Sequence, residues 1–158
     1  MIDPSRDLPP LGHVGYIVEN VDESVDRYRR VCGIDNFRVY DYVPNLAKSS
    51  GRVISPFKLR IGIGGFKNEV KIELIQPLAG DTPQAQFLRE KGPGLHHLAF
   101  YSKQYDDWLA YFKKEGAEFT FEAEAEDDII GYRRSFYARV DGIASQLEIS
   151  EIAYKRAK

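Results

Sequence analysis

The chain has few of the residues that usually declare a protein's chemistry. Cys32 is its one cysteine in 158 residues. An intrachain disulfide and a thiolate-bound metal cluster are therefore excluded, and a reducing compartment fits. No sign of charge prevails: 22 Lys and Arg against 24 Asp and Glu leave a net charge of −2. A nucleic-acid or anionic-membrane binder carries a one-signed excess that is missing here. No apolar run approaches the ~20 residues of a membrane span, and the opening MIDPSRDLPP lacks the apolar core of a secretory signal. We expect a soluble, cytoplasmic protein that meets a small molecule rather than nucleic acid or membrane. Histidine is scarce as well, with only His13, His96 and His97.

Those histidines fall into a repeat. HVGYIVENVDESVDRYRRVCG, from His13, aligns with HLAFYSKQYDDWLAYFKKEGA, from His97, and the leading histidines coincide. Val14, Tyr16 and Val18 match Leu98, Phe100 and Ser102, while Gly15 and Ala99 place a small residue two positions after each histidine. Each segment reads as a strand with one bulky face and one face that carries the histidine. A one-sided helix follows in both copies, through Val21, Val25, Tyr28 and Cys32 in the first and Tyr105, Leu109, Phe112 and Gly116 in the second. Asn20 or Asp22 can cap the first helix, Gly33 ends it, and Gly116 ends the second.

Each half closes on a similar phrase, VKIELIQ at 70–76 and SQLEISE at 145–151, with Glu73 and Glu148 in matching places. Ile72 and Leu74 share one face of their strand, as do Leu147 and Ile149, so both glutamates point the other way. Histidine and glutamate lie 60 residues apart in the first half and 51 in the second, so the first half has one extra hairpin's worth of chain. Between the halves, GDTPQAQFLREKGPG reads as a short helix with Thr82 as N-cap, Pro83 at its first position and Gly92 past its end. The expected class is α+β. Two βαβββ modules, 11–78 and 95–152, are joined by 79–94 and pair into a curved mixed sheet around a metal-binding cavity.

Four groups then converge: His13, Glu73, His97 and Glu148. Two imidazoles and two carboxylates suit one divalent ion such as Zn, Ni, Co, Mn or Fe, with positions left open for substrate oxygens. Single strand histidines and strand-end glutamates usually serve only structure. Their match across a repeat weighs toward a ligand set. By strand alternation His97 faces the cavity, and His96 faces the helix side or an interface in a structural role. Lys58, Arg60 and Arg133 are candidates to hold an anionic group of the substrate, and Tyr101 and Tyr137 to orient one of its oxygens. An ion bound to a carbonyl substrate stabilises the enolate left by α-proton removal. Glu148 is the first candidate base and Glu73 the second.

From about Leu11 to Glu151 the chain resembles the vicinal oxygen chelate (glyoxalase/bleomycin resistance/dioxygenase) superfamily. IELIQPLAGDTPQAQFLREKGPGLHHLAF is similar to the segment of methylmalonyl-CoA epimerases that carries two metal ligands, the second histidine of the HH pair among them. The resemblance implies metal positions at His13, Glu73, His97 and Glu148, a pattern shared by the glyoxalase I branch. Two departures stand out. The epimerase's catalytic glutamate on the strand before Glu73 has no counterpart in FKLRIGIG, and its HPKS-like loop is replaced by RRSFYARVDGIAS. The implied function is a metal-dependent epimerase or isomerase acting by α-proton abstraction on a carbonyl substrate. A glyoxalase I-type lyase, an extradiol dioxygenase and a metal-free small-molecule-binding or resistance protein are the alternatives. A homodimer is expected.

Overall fold

Strands β1 (Leu11–Ile17) and β7 (Gly94–Tyr101) pair antiparallel at the middle of a ten-stranded sheet in a computed structural model that describes residues 1–66, 70–128 and 130–153. On the β1 side follow β6 (Lys71–Ala79), β5 (Lys58–Gly65) and β2 (Arg38–Tyr42). On the β7 side follow β10 (Gln146–Ala153), β9 (Gly131–Arg139) and β8 (Glu118–Asp127). β6 runs parallel to β1 as β10 does to β7, and the next two strands alternate direction in both halves. The repeat in the sequence is thus a repeat of strand order about one seam, and the halves pair within a single chain.

The bulky faces are where alternation put them. Tyr16, Val18, Ile72 and Leu74 pack beneath helix α2 (Val21–Cys32), which buries Val21 and Val25. Phe136, Ala138 and Ile149 pack beneath α4 (Tyr105–Lys114) through Tyr105, Trp108 and Phe112. Each such side chain removed from water contributes on the order of 1.5–3 kcal/mol. The Asn20 side chain accepts from Glu23 N at 3.1 Å to start α2, and Gly33 ends it in the left-handed region at φ 68°. One stripe position differs from expectation: Cys32, the last residue of α2, is exposed. Gly116 follows the end of α4 in the left-handed region at φ 76°, in its expected place at the helix end. A short helix, α1 (Pro4–Asp7), precedes β1 and is capped by Asp3.

The extra chain of the first half is a hairpin, β3 (Leu46–Ser49) and β4 (Arg52–Val53). It leaves the end of β2 and pairs with β8 of the other half through Leu46↔Glu124, Ala47↔Ala123 and Lys48↔Glu122. Tyr42 and Leu46 are close in sequence, so that step spans at most ~14 Å. The sheet therefore curls until its β2 and β8 sides approach one another. Its inner face carries a separate apolar cluster that includes Tyr42, Leu59, Ile61, Ile75 and Phe121. Helix α3 (Pro83–Lys91), expected as a connection, does more than connect. Thr82 caps it, and its Phe87 and Leu88 pack against that inner cluster, so the helix closes one end of the curl.

Candidate metal centre

The four central strands each supply one inward polar side chain: His13 from β1, Glu73 from β6, His97 from β7 and Glu148 from β10. Gly15 lies opposite both Glu73 and His97, and Ala99 opposite Glu148, which brings the four to one level of the sheet. Ligand atoms of all four lie within 4.8 Å of one another. His13 Nε2 is 3.0 Å from His97 Nε2, and Glu73 Oε2 is 3.1 Å from each. Glu148 Oε2 is 2.9 Å from His97 Nε2 and 3.4 Å from His13 Nε2. The small residue after His13 has a steric purpose. A Cβ at Gly15 would come within 2.0 Å of the His97 ring.

Donor separations near 3 Å are the edges of a polyhedron with ligands ~2.0–2.2 Å from a common centre. Two carboxylates balance a dication, and buried Glu148 Oε2 completes no hydrogen bond of its own. These residues therefore fit a divalent ion of the Zn, Ni, Co, Mn or Fe group. Without an ion the cluster holds its own charge. Burial disfavours the charged form of His13, but Glu73 and Glu148 overcome it and raise the imidazole well above its ordinary range. His97 is raised by the same opposition. Burial alone would raise Glu73, yet His13 and His97 draw it down to about 2. Glu148 lies well below the usual carboxylate range because the same two imidazoles outweigh its burial.

A second layer orients these ligands. Tyr101 Oη sits 2.6 Å from His13 Nδ1, His96 Nδ1 sits 3.0 Å from His97 Nδ1, and Ser150 Oγ donates to Glu148 Oε1. Both imidazoles thereby turn Nε2 inward. Tyr137 stacks on His97 with centroids 4.7 Å apart and planes at 24°.

His96 departs from its expected place. Adjacent Gly15 and Tyr16 face His97 and Leu95, two apart on β7, so His96 is the extra residue of a β-bulge. Alternation does not pass through a bulge, and both histidines lie inside the curl. The His96 ring meets Phe87 of α3 edge-on at 5.1 Å and Tyr137 at 5.3 Å. Its Nε2 is 3.1 Å from the Gln146 amide, whose oxygen accepts from Thr120. It stays outside the four-ligand set. Burial and the neighbouring His97 push it down to about 3, a neutral imidazole.

Lys58 and Arg60 are not brought to the cavity. Leu59, Ile61 and Ile63 take the inner face of β5, which leaves the charged residues on its outer, partly exposed face. There Arg60 binds Asp22 at 3.0 Å and Asp41 at 3.1 Å, and Lys58 binds Asp41 at 2.8 Å. Arg133 does line the cavity. Its guanidinium lies 5.0 Å from the Tyr42 ring centre and 5.8 Å from that of Tyr40, and Nη1 pairs with Asp127 at 3.0 Å. Reading the sequence missed Tyr40, Tyr42, Ser150 and Gln84 on these walls. Ser150 was within reach, since it shares a strand face with Glu148. The cavity has a volume of about 80 Å³. Ile63, Tyr101, Ile130 and Ile152 also line an outer groove with Arg38 and Lys71, and so form its mouth.

A curled sheet of two like halves, with two histidines and two glutamates on its central strands, defines the vicinal oxygen chelate class. The sequence profile of the Glyoxalase/Bleomycin resistance protein/Dioxygenase superfamily matches residues 12–132, and the chain belongs to that superfamily. Among solved structures it is similar to methylmalonyl-CoA epimerase from Mycobacterium tuberculosis, with a TM-score of 0.70 at 20% identity, over 98% of this chain and 94% of that one. A variant of the Streptomyces coelicolor methylmalonyl-CoA epimerase in complex with 2-nitronate-propionyl-CoA gives a TM-score of 0.68 at 19% identity, over 94% of this chain and 100% of that one. A mutant 4-hydroxymandelate synthase from Streptomyces coelicolor gives 0.64 at 16% identity, over 96% of this chain and 51% of that one. At these identities the likeness is one of fold. The uncharacterized protein YqjC of Bacillus subtilis (strain 168) is 33% identical over 91 residues, which cover 57% of this chain and 55% of that protein. The match thus spans about half the length of that relative. Among the described residues no helix is long and apolar enough to cross a membrane.

Proposed function

We propose that the chain is a divalent-metal-dependent enzyme that abstracts a proton α to a carbonyl group, of the epimerase or isomerase type. In this reading 11–78 and 95–152 are paired modules joined by 79–94, and each chain holds one ion through His13, Glu73, His97 and Glu148. The observation that carries it is the buried convergence of these four groups, of which His13, Glu73 and Glu148 line a cavity whose other walls are largely apolar. The likeness in fold to methylmalonyl-CoA epimerases supports it.

An ion in this site supplies Lewis-acid stabilisation of negative charge on the substrate's oxygens. The protein supplies the proton transfers. Among the described residues lining the cavity, Glu73 and Glu148 are the only carboxylates. Ser150 holds Glu148 Oε1, which leaves Oε2 to alternate between the ion and the substrate's proton. The α-carbon–hydrogen bond breaks, the proton passes to Glu148, and the electron pair moves onto the carbonyl oxygen. Inversion requires Glu73 to enter the cycle protonated and to give its proton to the opposite face, so that the two glutamates exchange acid and base roles at each turnover. Return from Glu148 to the neighbouring carbon is the glyoxalase type of outcome. Arg133 anchors an anionic part of the substrate, Tyr137 bounds it beside His97, and Tyr101 acts through His13. The apolar wall of β5 excludes water and strengthens each charge interaction.

The test is metal analysis of the purified protein, then proton–deuterium exchange with acyl thioesters, α-hydroxythioesters and keto sugars. Glu148→Gln is expected to keep the metal and to slow exchange by about 10²-fold or more. Near-normal exchange in that variant removes the assignment to Glu148. A metal-loaded wild type that exchanges no carbonyl compound removes the enzyme.

A further inference from the structure

Resting on the function proposed above, we infer that the substrate is a short-chain carbonyl acid bearing a hydroxyl group, with the hydroxyl held by Gln84 and a distal carboxylate by Arg133. Protein interiors rarely carry buried polar atoms without a partner, and each such atom calls for a reason. Among the described residues the buried side-chain polar atoms without a hydrogen-bond partner are Gln84 Nε2 and Oε1, Arg133 Nη2, Glu148 Oε2 and Trp108 Nε1. All but Trp108 belong to residues that line this one cavity. Glu148 is accounted for by the metal and the proton. Gln84 and Arg133 are not.

Gln84 is 0% exposed and follows Pro83 in the first turn of α3, which aims it into the closed end of the curl. The cavity it lines is walled largely by apolar side chains, Leu59, Ile61, Ile75 and Phe121 among them. The Tyr137 phenol lies within reach of the amide, yet a single bond to it would leave the rest of the amide's donors and acceptor sites unmatched. An amide presents a donor and an acceptor on one carbon. A methyl group would satisfy neither and a carboxylate only the donor, whereas a hydroxyl gives and accepts. Arg133 has a different deficit. Nη1 meets Asp127 Oδ2 at 3.0 Å and Gly131 O at 3.3 Å, and the Tyr40 and Tyr42 rings flank the guanidinium, while Nη2 has nothing to donate to. A planar, permanently charged donor with spare N–H groups suits a carboxylate.

Register fixes the order along the molecule. Tyr137 faces Glu148 and Arg133 faces Ile152 on the same pair of strands, so the anchor's Cα lies ~13 Å along β9 from the level of the glutamate. The Nη1 bonds of Arg133 reach toward Gly131 and Asp127, so the group it anchors lies toward the mouth of the cavity. The cavity volume of about 80 Å³ suits a small molecule.

The experiment uses zinc-loaded full-length protein and three probes: 4-hydroxy-2-oxoglutarate, 2-oxoglutarate, which lacks the hydroxyl, and 4-hydroxy-2-oxopentanoate, which lacks the distal carboxylate. Calorimetric titration is expected to show the first binding at least ~10-fold tighter than either of the others. Gln84→Met should erase the preference for the hydroxyl, and Arg133→Met the preference for the distal carboxylate, with zinc retained in both. Gln84→Met should also raise the thermal midpoint of the ligand-free protein, because it removes an unmatched buried amide. Equal affinity of the wild type for the three probes overturns the inference. So does a hydroxyl preference that survives Gln84→Met, or a lowered midpoint, which would mean that the amide is satisfied by structure or water alone. If zinc stays bound and α-protons still exchange, such a failure falls on this inference. Loss of tight metal binding by the wild type falls on the proposed function.

Discussion

His97 is gripped at both nitrogens, by the ligand cluster at Nε2 and by His96 at Nδ1. The His96 contact decides which nitrogen looks inward, so its loss should weaken metal binding more than its packing alone would suggest. His96→Phe, which keeps an aromatic ring under α3, is expected to lower metal affinity by about 10–100-fold in a chelator competition. His96→Gln, which can still bond to Nδ1, should recover part of it. The charges of the same cluster make a second prediction. His13 and His97 are raised above 6.5, so each contributes stability that is fully present below that value and is lost as pH rises through its folded value. Glu73 falls from 4.5 to about 2, so its contribution is present above 4.5 and is lost as pH falls toward 2. The metal-free protein should therefore be most stable between about pH 4.5 and 6.5. Metal needs the imidazoles unprotonated, so affinity should rise with pH and binding should release protons. Unfolding across pH with and without metal, and calorimetry in two buffers, check both claims.

At the scale of elements, legibility depended on which face of a strand carries the bulk. His13, Glu73, His97 and Glu148 sit on strands whose outer residues are large and apolar, because α2 and α4 cover them, so alternation put all four inward. β5 misled for the opposite reason. Its apolar residues face the cavity, and its charged residues are neutralised by Asp22 and Asp41 on the outside. His96 escaped because a bulge resets alternation. Gln84 escaped because the direction of a helical residue depends on where the helix docks, and nothing local to α3 states that it plugs the curl. The hairpin showed only as surplus length between His13 and Glu73. Gly15 was legible as a small residue but not as the seat of the His97 ring. Gly15→Ala should keep the fold, since β-strands accept alanine, yet displace that ring and abolish tight metal binding. Metal titration beside circular dichroism measures the two separately.

For the whole molecule, β2 and β4 end the sheet with unpaired backbone on one side. Edges of this kind favour association, and a homodimer is the expected state. Sedimentation should give about twice the 18.1 kDa of the chain, and a monomer at high concentration removes that expectation. The proposed site needs no second copy, because its four candidate ligands come from one chain.

The hairpin β3–β4 belongs to the first half by its covalent bonds and to the second half by its hydrogen bonds to β8. It acts as a latch across the open side of the curl. The halves cannot swing apart like jaws about the β1–β7 seam without tearing those bonds. The opening lined by Tyr101, Ile63, Ile130 and Ile152 joins the cavity to the outer groove, so a small molecule would not need the halves to part in order to reach the site proposed above.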